Sequence, residues 1–465
     1  MKRLLLAVGA SAVLSGCASV NPRPAFTDVE TSVSDRTGHH PTWARTPTEG
    51  QQTEQSVREL LKDELTVEAA VRIALANNPS LQATFEEIGV AQADLAQAGL
   101  VKNPEFDGFL RFPKGLPSGN NVELGLLQDV LDILTMPLRK KIGSAQLEQT
   151  KLRVGSGVLA LIAEVKTAYF TLQAAQQLVT RLELIMEVNR AAAEFAQKQH
   201  EAGTLNDLDL ATHRATYDQA KVDVAIESTQ VRADRERLNR LLGLWGSDTS
   251  WKIAKQLPEI ADDDIPLEGL ESLAISQRLD VAAARWRVDV VGRALALKRG
   301  TRYFPVGIDV GVQTERDSSG QRVTGPSLAL QLPIFDTGKA SIARLEAQHR
   351  QVQRQLEALA INARSEVREG RDLVLATRGL ARYYGRVLLP ERVQILDLTL
   401  KHHNMMLKGT YDLLLAKQSE VATERAYIEA WRDYWIARTQ LERAVGGRLD
   451  AGVQPPAVSN EGGSR

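Results

Sequence analysis

The chain has 465 residues, with 57 basic and 58 acidic side chains and a single cysteine. That balance excludes the strongly basic surface of a nucleic-acid binder, and one cysteine excludes a disulfide framework. Beyond the N-terminus no stretch offers ~18 consecutive apolar residues, so entry into a bilayer other than by a lipid must use β-strands.

Lys2 and Arg3 precede a short apolar run, Leu4 to Leu14, followed by Leu14-Ser15-Gly16-Cys17. The run is too short to span a bilayer and reads as a secretory signal, residues 1–16. The Leu-Ser-Gly-Cys tetrapeptide resembles the bacterial lipoprotein cleavage box, which implies cleavage before Cys17 and lipid on Cys17. Ala18 and Ser19 are not the Asp associated with inner-membrane retention, which favours the outer membrane. Residues 17–60 are then a lipidated N-terminal tether. Asn21 to Gln55 is rich in Pro, Thr, Ser and Gly and reads as extended or poorly ordered.

A first repeat spans 61–243. Thr66 caps a short helix that Asn77-Asn78-Pro79 breaks, and a helix from Ser80 to Val101 follows. The period then changes to two. Phe106, Leu110, Val122, Leu124 and Leu126 fall on one face of a β-hairpin at about 104–130, with Glu105, Asp107, Arg111 and Glu123 on the other. Leu138 to Ala202 is a proline-free stretch of strong helix formers, roughly 98 Å long as a single helix. It stops at Gly203-Thr204, and a return helix runs over 207–242.

After a Gly-, Trp-, Asp- and Pro-bearing connection, 244–268, the pattern repeats over 269–446. Its parts are a β-hairpin at about 303–334, a long helix 339–408, the turn at Gly409-Thr410, and a return helix 412–445. Pro390 should kink the second long helix. The tail, 447–465, is Gly-, Pro- and Ser-rich and reads as disordered. Pro104 matches Pro305, Asp132 matches Asp336, and Gly203-Thr204 matches Gly409-Thr410, so the chain is a tandem duplication covering nearly its whole mature length.

Both long helices carry apolar residues at steps of 3 and 4, for example Ile162, Val165, Tyr169 and Leu172, which is a coiled-coil seam. That alone would suit a periplasmic coiled-coil scaffold or adaptor lipoprotein without a pore. The four strands argue otherwise. Each is long enough to cross a bilayer at a tilt, yet four cannot close a membrane barrel. Three chains giving twelve strands could, with the even apolar positions facing lipid and Asp309 and Gln313 joining the polar side.

The chain resembles the TolC-type outer-membrane factors. The resemblance covers about residues 60 to 447 and rests on Ala74-Leu75-Ala76-Asn77-Asn78-Pro79, Tyr303-Phe304-Pro305, Leu332-Pro333-Ile334-Phe335-Asp336-Thr337-Gly338, Leu389-Pro390 and the two Gly-Thr turns. It implies a mainly α fold with a small transmembrane β part: a trimeric twelve-stranded β-barrel on a long α-helical barrel, with an equatorial part from 244–268 and the terminal segments. The implied function is the exit duct of a tripartite efflux or type I secretion system. Its partners would be a homotrimer, a periplasmic adaptor, an inner-membrane pump and the outer membrane.

No Walker loop, nucleophile elbow or zinc spacing is present, and the expected protein is not an enzyme and needs no cofactor beyond lipid on Cys17. The informative residues are therefore those of the closed end. The resemblance places a gating aspartate at Asp209, with Asp207 and Asp412 nearby. Tyr411 stands where the family has arginine, and Leu415 where it has an acidic ring. Gly203, Thr204, Gly409 and Thr410 would form the adaptor-contact tip. No metal site is expected. His402 and Met406, at i and i+4, are weak candidates for a soft metal such as Cu(I).

Overall fold

The computed structural model describes residues 20–112, 114, 120–260, 267–305, 307–317 and 319–449. The signal segment, Cys17 and the tail from 450 lie outside the described residues. The described chain forms two compact units. One comprises the described residues to Val29, Phe85–Val154 and Leu279–Leu359; the other comprises Glu30–Thr84, Gly155–Arg278 and the described residues from Ala360.

The first unit carries one four-stranded antiparallel sheet in the order β1-β2-β3-β4: Glu105–Arg111, Asn121–Asp129, Ile308–Arg316 and Arg322–Leu330. Glu123 pairs with Glu315 and Leu126 with Val312, so the two hairpins join through β2 and β3. The second hairpin is shifted from its expected position. Phe304 and Leu332 to Ile334 lie outside the strands, while the ladder runs on to the Arg316–Arg322 pair. Pro305 and Pro333 have no N–H to give, which ends the ladder at its foot.

The alternation is expressed as two chemically distinct faces. Phe106, Leu110, Leu124, Leu126, Val310, Val312 and Leu328 are all exposed, Phe106 at 71%. On the other face Arg111 pairs with Glu123 at 2.9 Å, Gln313 donates to Glu123, and Asn121 donates to Glu315 at 2.7 Å. The apolar face has no covering among the described residues, whereas the polar face carries ion pairs and hydrogen bonds between strands, with Asp107 Oδ1 and Asn121 Oδ1 buried without a partner.

Helix α5, Val130–Glu201, begins earlier than expected and runs through Pro137. Asp129, the last residue of β2, explains the start. Its Oδ1 accepts the Asp132 N–H at 3.0 Å, so the strand ends in a helix cap. Part of α5 is long and apolar enough to cross a bilayer by length and composition, but that part is 61% buried in the protein. Its apolar residues, among them Val154, Val158, Val165 and Leu172, serve packing. Helix α4, Pro79–Ala98, meets α5 in the first unit where Gly143 leaves room; a Cβ there would sit 3.3 Å from Leu95 Cα.

In the second unit, α1 (Arg23–Thr37, ending here), α2 (Pro47–Leu60) and α3 (Val67–Asn77) precede α4. The first two correct the expectation of an extended tether. Phe26, Val29 and Val33 recur at helical spacing and are buried, as is Trp43. Thr46 caps α2 in a reciprocal capping box with Glu49, and Pro47 occupies the first helical position. Gly447 to Leu449 likewise belongs to the packed structure: Arg448 N–H donates to Arg36 C=O at 3.0 Å and Leu449 is buried.

The return helices are α6, Asp207–Leu242, and α11, Thr410–Val445. Each is held at its C-terminus by the short helix of its own repeat. Asn77 Nδ2 donates to the carbonyls of Leu242 and Gly243 at 3.0 and 2.9 Å, and Asn78 Nδ2 to Leu241 at 2.8 Å. In the second repeat α7, Leu270–Gln277, leads to Arg278, which donates to Ala444 C=O at 3.3 Å. The Asn-Asn-Pro tract is thus a clamp on otherwise orphan helix-end carbonyls. The connection after α6 is pinned to α5. Gln173 donates to Ala254 and Gln256 carbonyls, and Tyr169 donates to Leu65 C=O at 2.9 Å. Burial pushes the Tyr169 phenol up to about 12.

Helix α8, Leu279–Gly300, leads into β3. The second long helix is interrupted. Helix α9, Lys339–Tyr383, passes through a π turn, Tyr384–Leu388, into α10, Leu389–Asn404. Pro390 lacks the N–H that would bond the Arg386 carbonyl and its ring crowds that carbonyl; the wider turn relieves the clash. Gly385 sits in this turn because a Cβ would approach Tyr427 Cε2 to 2.9 Å.

Candidate functional site

The two turns between long and return helices have the same construction. At the first, Gly203 N–H donates to His200 C=O and Thr204 N–H to Gln199 C=O, both at 2.9 Å; Gly203 takes φ +73°. At the second, Met406 N–H donates to His403 C=O and Leu407 N–H to His402 C=O, both at 2.9 Å; Met406 takes φ +60°. Both are Schellman closures with a left-handed residue at the C′ position. Met406 is the only non-glycine with positive φ among the described residues.

This pairing corrects the expected match of Gly203-Thr204 with Gly409-Thr410. The partner of Gly203 is Met406. Gly409 instead caps α11, as Asn206 caps α6, and Thr410 is the first helical residue. Counted from these caps, Asp412 stands where Asp209 stands, and Tyr411 where Leu208 stands.

The third helical residue is acidic in both turns and reaches back to the cap. Asp209 N–H donates to Asn206 Oδ1 at 2.8 Å, while Asn206 Nδ2 donates to Asp209 Oδ2 at 2.9 Å. Gly409 N–H donates to Asp412 Oδ2 at 3.1 Å, and Lys408 Nζ lies 3.3 Å from Asp412 Oδ1. Asp207 is 97% exposed and pairs with His200 at 2.7 Å, bridging the end of α5 and the start of α6. All three carboxylates, Asp207, Asp209 and Asp412, gain from the N-terminal helix field.

Around these caps the surface is unexpectedly apolar. Leu208, Tyr411, Leu415 and Met405 to Leu407 are all exposed, Met406 at 94%. Sequence reasoning missed this cluster because the Gly-Thr match set the two turns out of register. Aligning the helix caps would have found it.

The soft-metal candidates are not brought together. Helix α10 ends at Asn404 and Met406 is left-handed, so His402 and Met406 do not share a helix face. His403 Nδ1 is engaged with Lys408 C=O at 3.0 Å. Among the described residues no group of three or more His, Cys, Asp or Glu could hold a metal ion.

The outer membrane efflux protein family profile matches residues 70–244. The chain is 19% identical over 390 residues to the cobalt-zinc-cadmium resistance protein CzcC of Cupriavidus metallidurans, covering 82% of this chain and 90% of that one. It is 24% identical over 411 residues to the outer membrane protein OprJ of Pseudomonas aeruginosa, covering 82% and 84%. Over its first repeat this chain matches the outer membrane efflux protein family. The fold agrees. The CmeC outer membrane channel of Campylobacter jejuni superposes with a TM-score of 0.72 at 16% identity, over 88% of this chain and 89% of that one. The chain is mainly α with a small β part, built from a duplicated unit of hairpin, long helix and return helix. The family profile ends near the close of the first return helix, so the second turn, with Met406, is characterised by its own geometry.

Proposed function

We propose that three copies of this chain form an outer-membrane exit duct for a tripartite efflux system. The observation that carries this reading is the four-stranded sheet with one bare apolar face, one polar, ion-paired face and two open edges, β1 and β4. In lipid an open edge is untenable, and a water-exposed sheet with such a face would aggregate. Pairing β4 of one copy with β1 of the next, three times, makes a closed twelve-stranded barrel with Arg111, Glu123 and Gln313 lining water. The helices would continue the duct into the periplasm. Conduction is passive, and an adaptor and an inner-membrane pump supply cargo and energy.

The turn residues Gly203, Thr204, Gly409 and Thr410, with the exposed Leu208 and Tyr411, would be the adaptor-facing tip. Three copies each of Asp207, Asp209 and Asp412 would concentrate negative charge at its mouth and favour cations. Cys17 would carry the lipid that anchors the N-terminus, and Cys17→Ser should remove acyl mass from the mature protein; retained acyl mass would count against the anchor. The decisive experiment on the duct is planar-bilayer recording with the purified full chain. Trimers that conduct are expected, whereas a monomer without conductance would overturn the duct in favour of a pore-free periplasmic scaffold.

A further inference from the structure

An apolar groove of about 420 Å³ lies at the foot of the sheet, within the first unit. Its walls are the first turns of α5, which leave β2, and the last turns of α8, which lead to β3. Leu134, Leu138, Leu297 and Phe304 line it, with Lys141 and Arg293 at one end. The volume falls in the ~300–1,000 Å³ range of small-molecule sites.

Three observations say what it holds. First, the groove lies under the two central strands, not under the edge strands β1 and β4, so joining of copies through those edges does not account for it. Second, its large apolar side chains are open: Leu134 is 67% exposed and Phe304 is 54% exposed. The wall of a water-filled duct has no use for such residues, whereas a surface continuous with the apolar face of the strands does. Third, the charges at its end are basic. Arg293 is paired with Asp289 at 2.7 Å, but Lys141 has no carboxylate partner among the described residues. Tyr303, next to Phe304 in the chain, and Phe335, five residues past β4, are exposed as well, a use of aromatic residues common at a membrane–water boundary.

We propose that this groove binds one anionic lipid of the surrounding membrane. An acyl chain lies along Leu134, Leu138, Leu297 and Phe304, and the phosphate headgroup sits at Lys141. The inference rests on the duct reading, which puts these strands in a bilayer. Apolar contact alone would accept any acyl chain; the unpaired Lys141 selects the anionic headgroup.

The test is native mass spectrometry of the full-length protein released from nanodiscs of equal phosphatidylglycerol and phosphatidylcholine, with bilayer conductance measured on the same preparation. Wild type should retain phosphatidylglycerol preferentially. Lys141→Gln should lower that preference roughly fivefold, and Leu134→Asn should lower retention of both lipids. Both side chains are exposed, so neither change should prevent folding. Lys62→Gln, an exposed lysine outside the groove, should leave retention as in wild type. Equal retention of the two lipids by a conducting wild type would overturn this inference alone. A wild type that does not conduct would overturn the duct reading and this inference with it. Phosphatidylglycerol retained only after Cys17→Ser would mean that the chain's own acyl group fills the groove, which also overturns it.

Discussion

Gly203 and Met406 hold the same backbone position in the two halves of the chain, one a residue built for a left-handed φ and the other not. Both close a helix with the same pair of hydrogen bonds. A side chain at this φ costs about 1–2 kcal/mol relative to glycine. The second turn therefore stores strain that the first does not, and its C′ residue is almost wholly exposed, so burial of Met406 within the chain does not offset it.

Met406→Gly should stabilise the second turn by about 1 kcal/mol, and Gly203→Ala should destabilise the first by a similar amount. A Cβ at Gly203 meets nothing within 4 Å, so only backbone strain is tested there. Amide exchange of residues 401–412 and 198–209 reads both effects. Slower exchange at the second turn in Met406→Gly is expected, and unchanged exchange would show that the strain is relieved elsewhere.

If the turns form the narrow end of the proposed duct, Asp209→Ala should raise closed-state conductance, because it removes a carboxylate there and frees the Asn206 amide. Asn206→Ala should cost about 1 kcal/mol of helix-end stability through loss of the cap. If only Asp209→Ala alters closed-state current, the carboxylate has a gating role. Equal change from both variants would reduce it to cap geometry.

Gly385→Ala should cost about 1–3 kcal/mol, since the new methyl group meets the Tyr427 ring. Tyr427→Ala should lower that cost in a double-mutant cycle, measured by denaturant unfolding. Strict additivity of the two would show that the π turn, not the ring, sets the need for glycine.

His39 gives the folded chain a pH dependence. Burial holds its imidazole below the ordinary value near 6.5, and Lys166, Arg448 and His40 push the same way, while Glu68, 3.3 Å from Nε2, opposes them. Glu68 is itself 61% exposed, so solvent screens its pull. The unfolded chain thus takes up the proton at higher pH than the folded chain. Stability should be fully present above about pH 6.5 and fall as pH drops below it. His39→Gln should flatten this slope in unfolding midpoints taken between pH 7 and 5; an unchanged slope would assign it to other groups.

Several features could be read directly from the chain. Hydrophobic spacing is local, so the two-residue period of Phe106 to Leu126 and the 3-and-4 spacing of Ile162 to Leu172 announced strands and a packed helix. The duplication made the architecture legible because each half repeats the same order of periods. The capping box at Thr46 and Glu49 was equally present in the sequence, but its composition of Pro, Thr and Gly suggested a tether.

What the tertiary structure decided are relationships between partners distant in sequence. Asn78 and Arg278 clamp the ends of return helices more than 160 residues away. The apolar groove exists only because β2 and β3 lie side by side and bring Leu134 near Phe304. The equivalence of Gly203 and Met406 is written in hydrogen bonds, not in residue type. The sequence by itself determined which faces are apolar and how often the pattern recurs, since periodicity acts within a few residues. Where a helix ends, which glycine turns the chain and which cation is left unpaired depend on what packs against them, and only the folded chain supplies those neighbours.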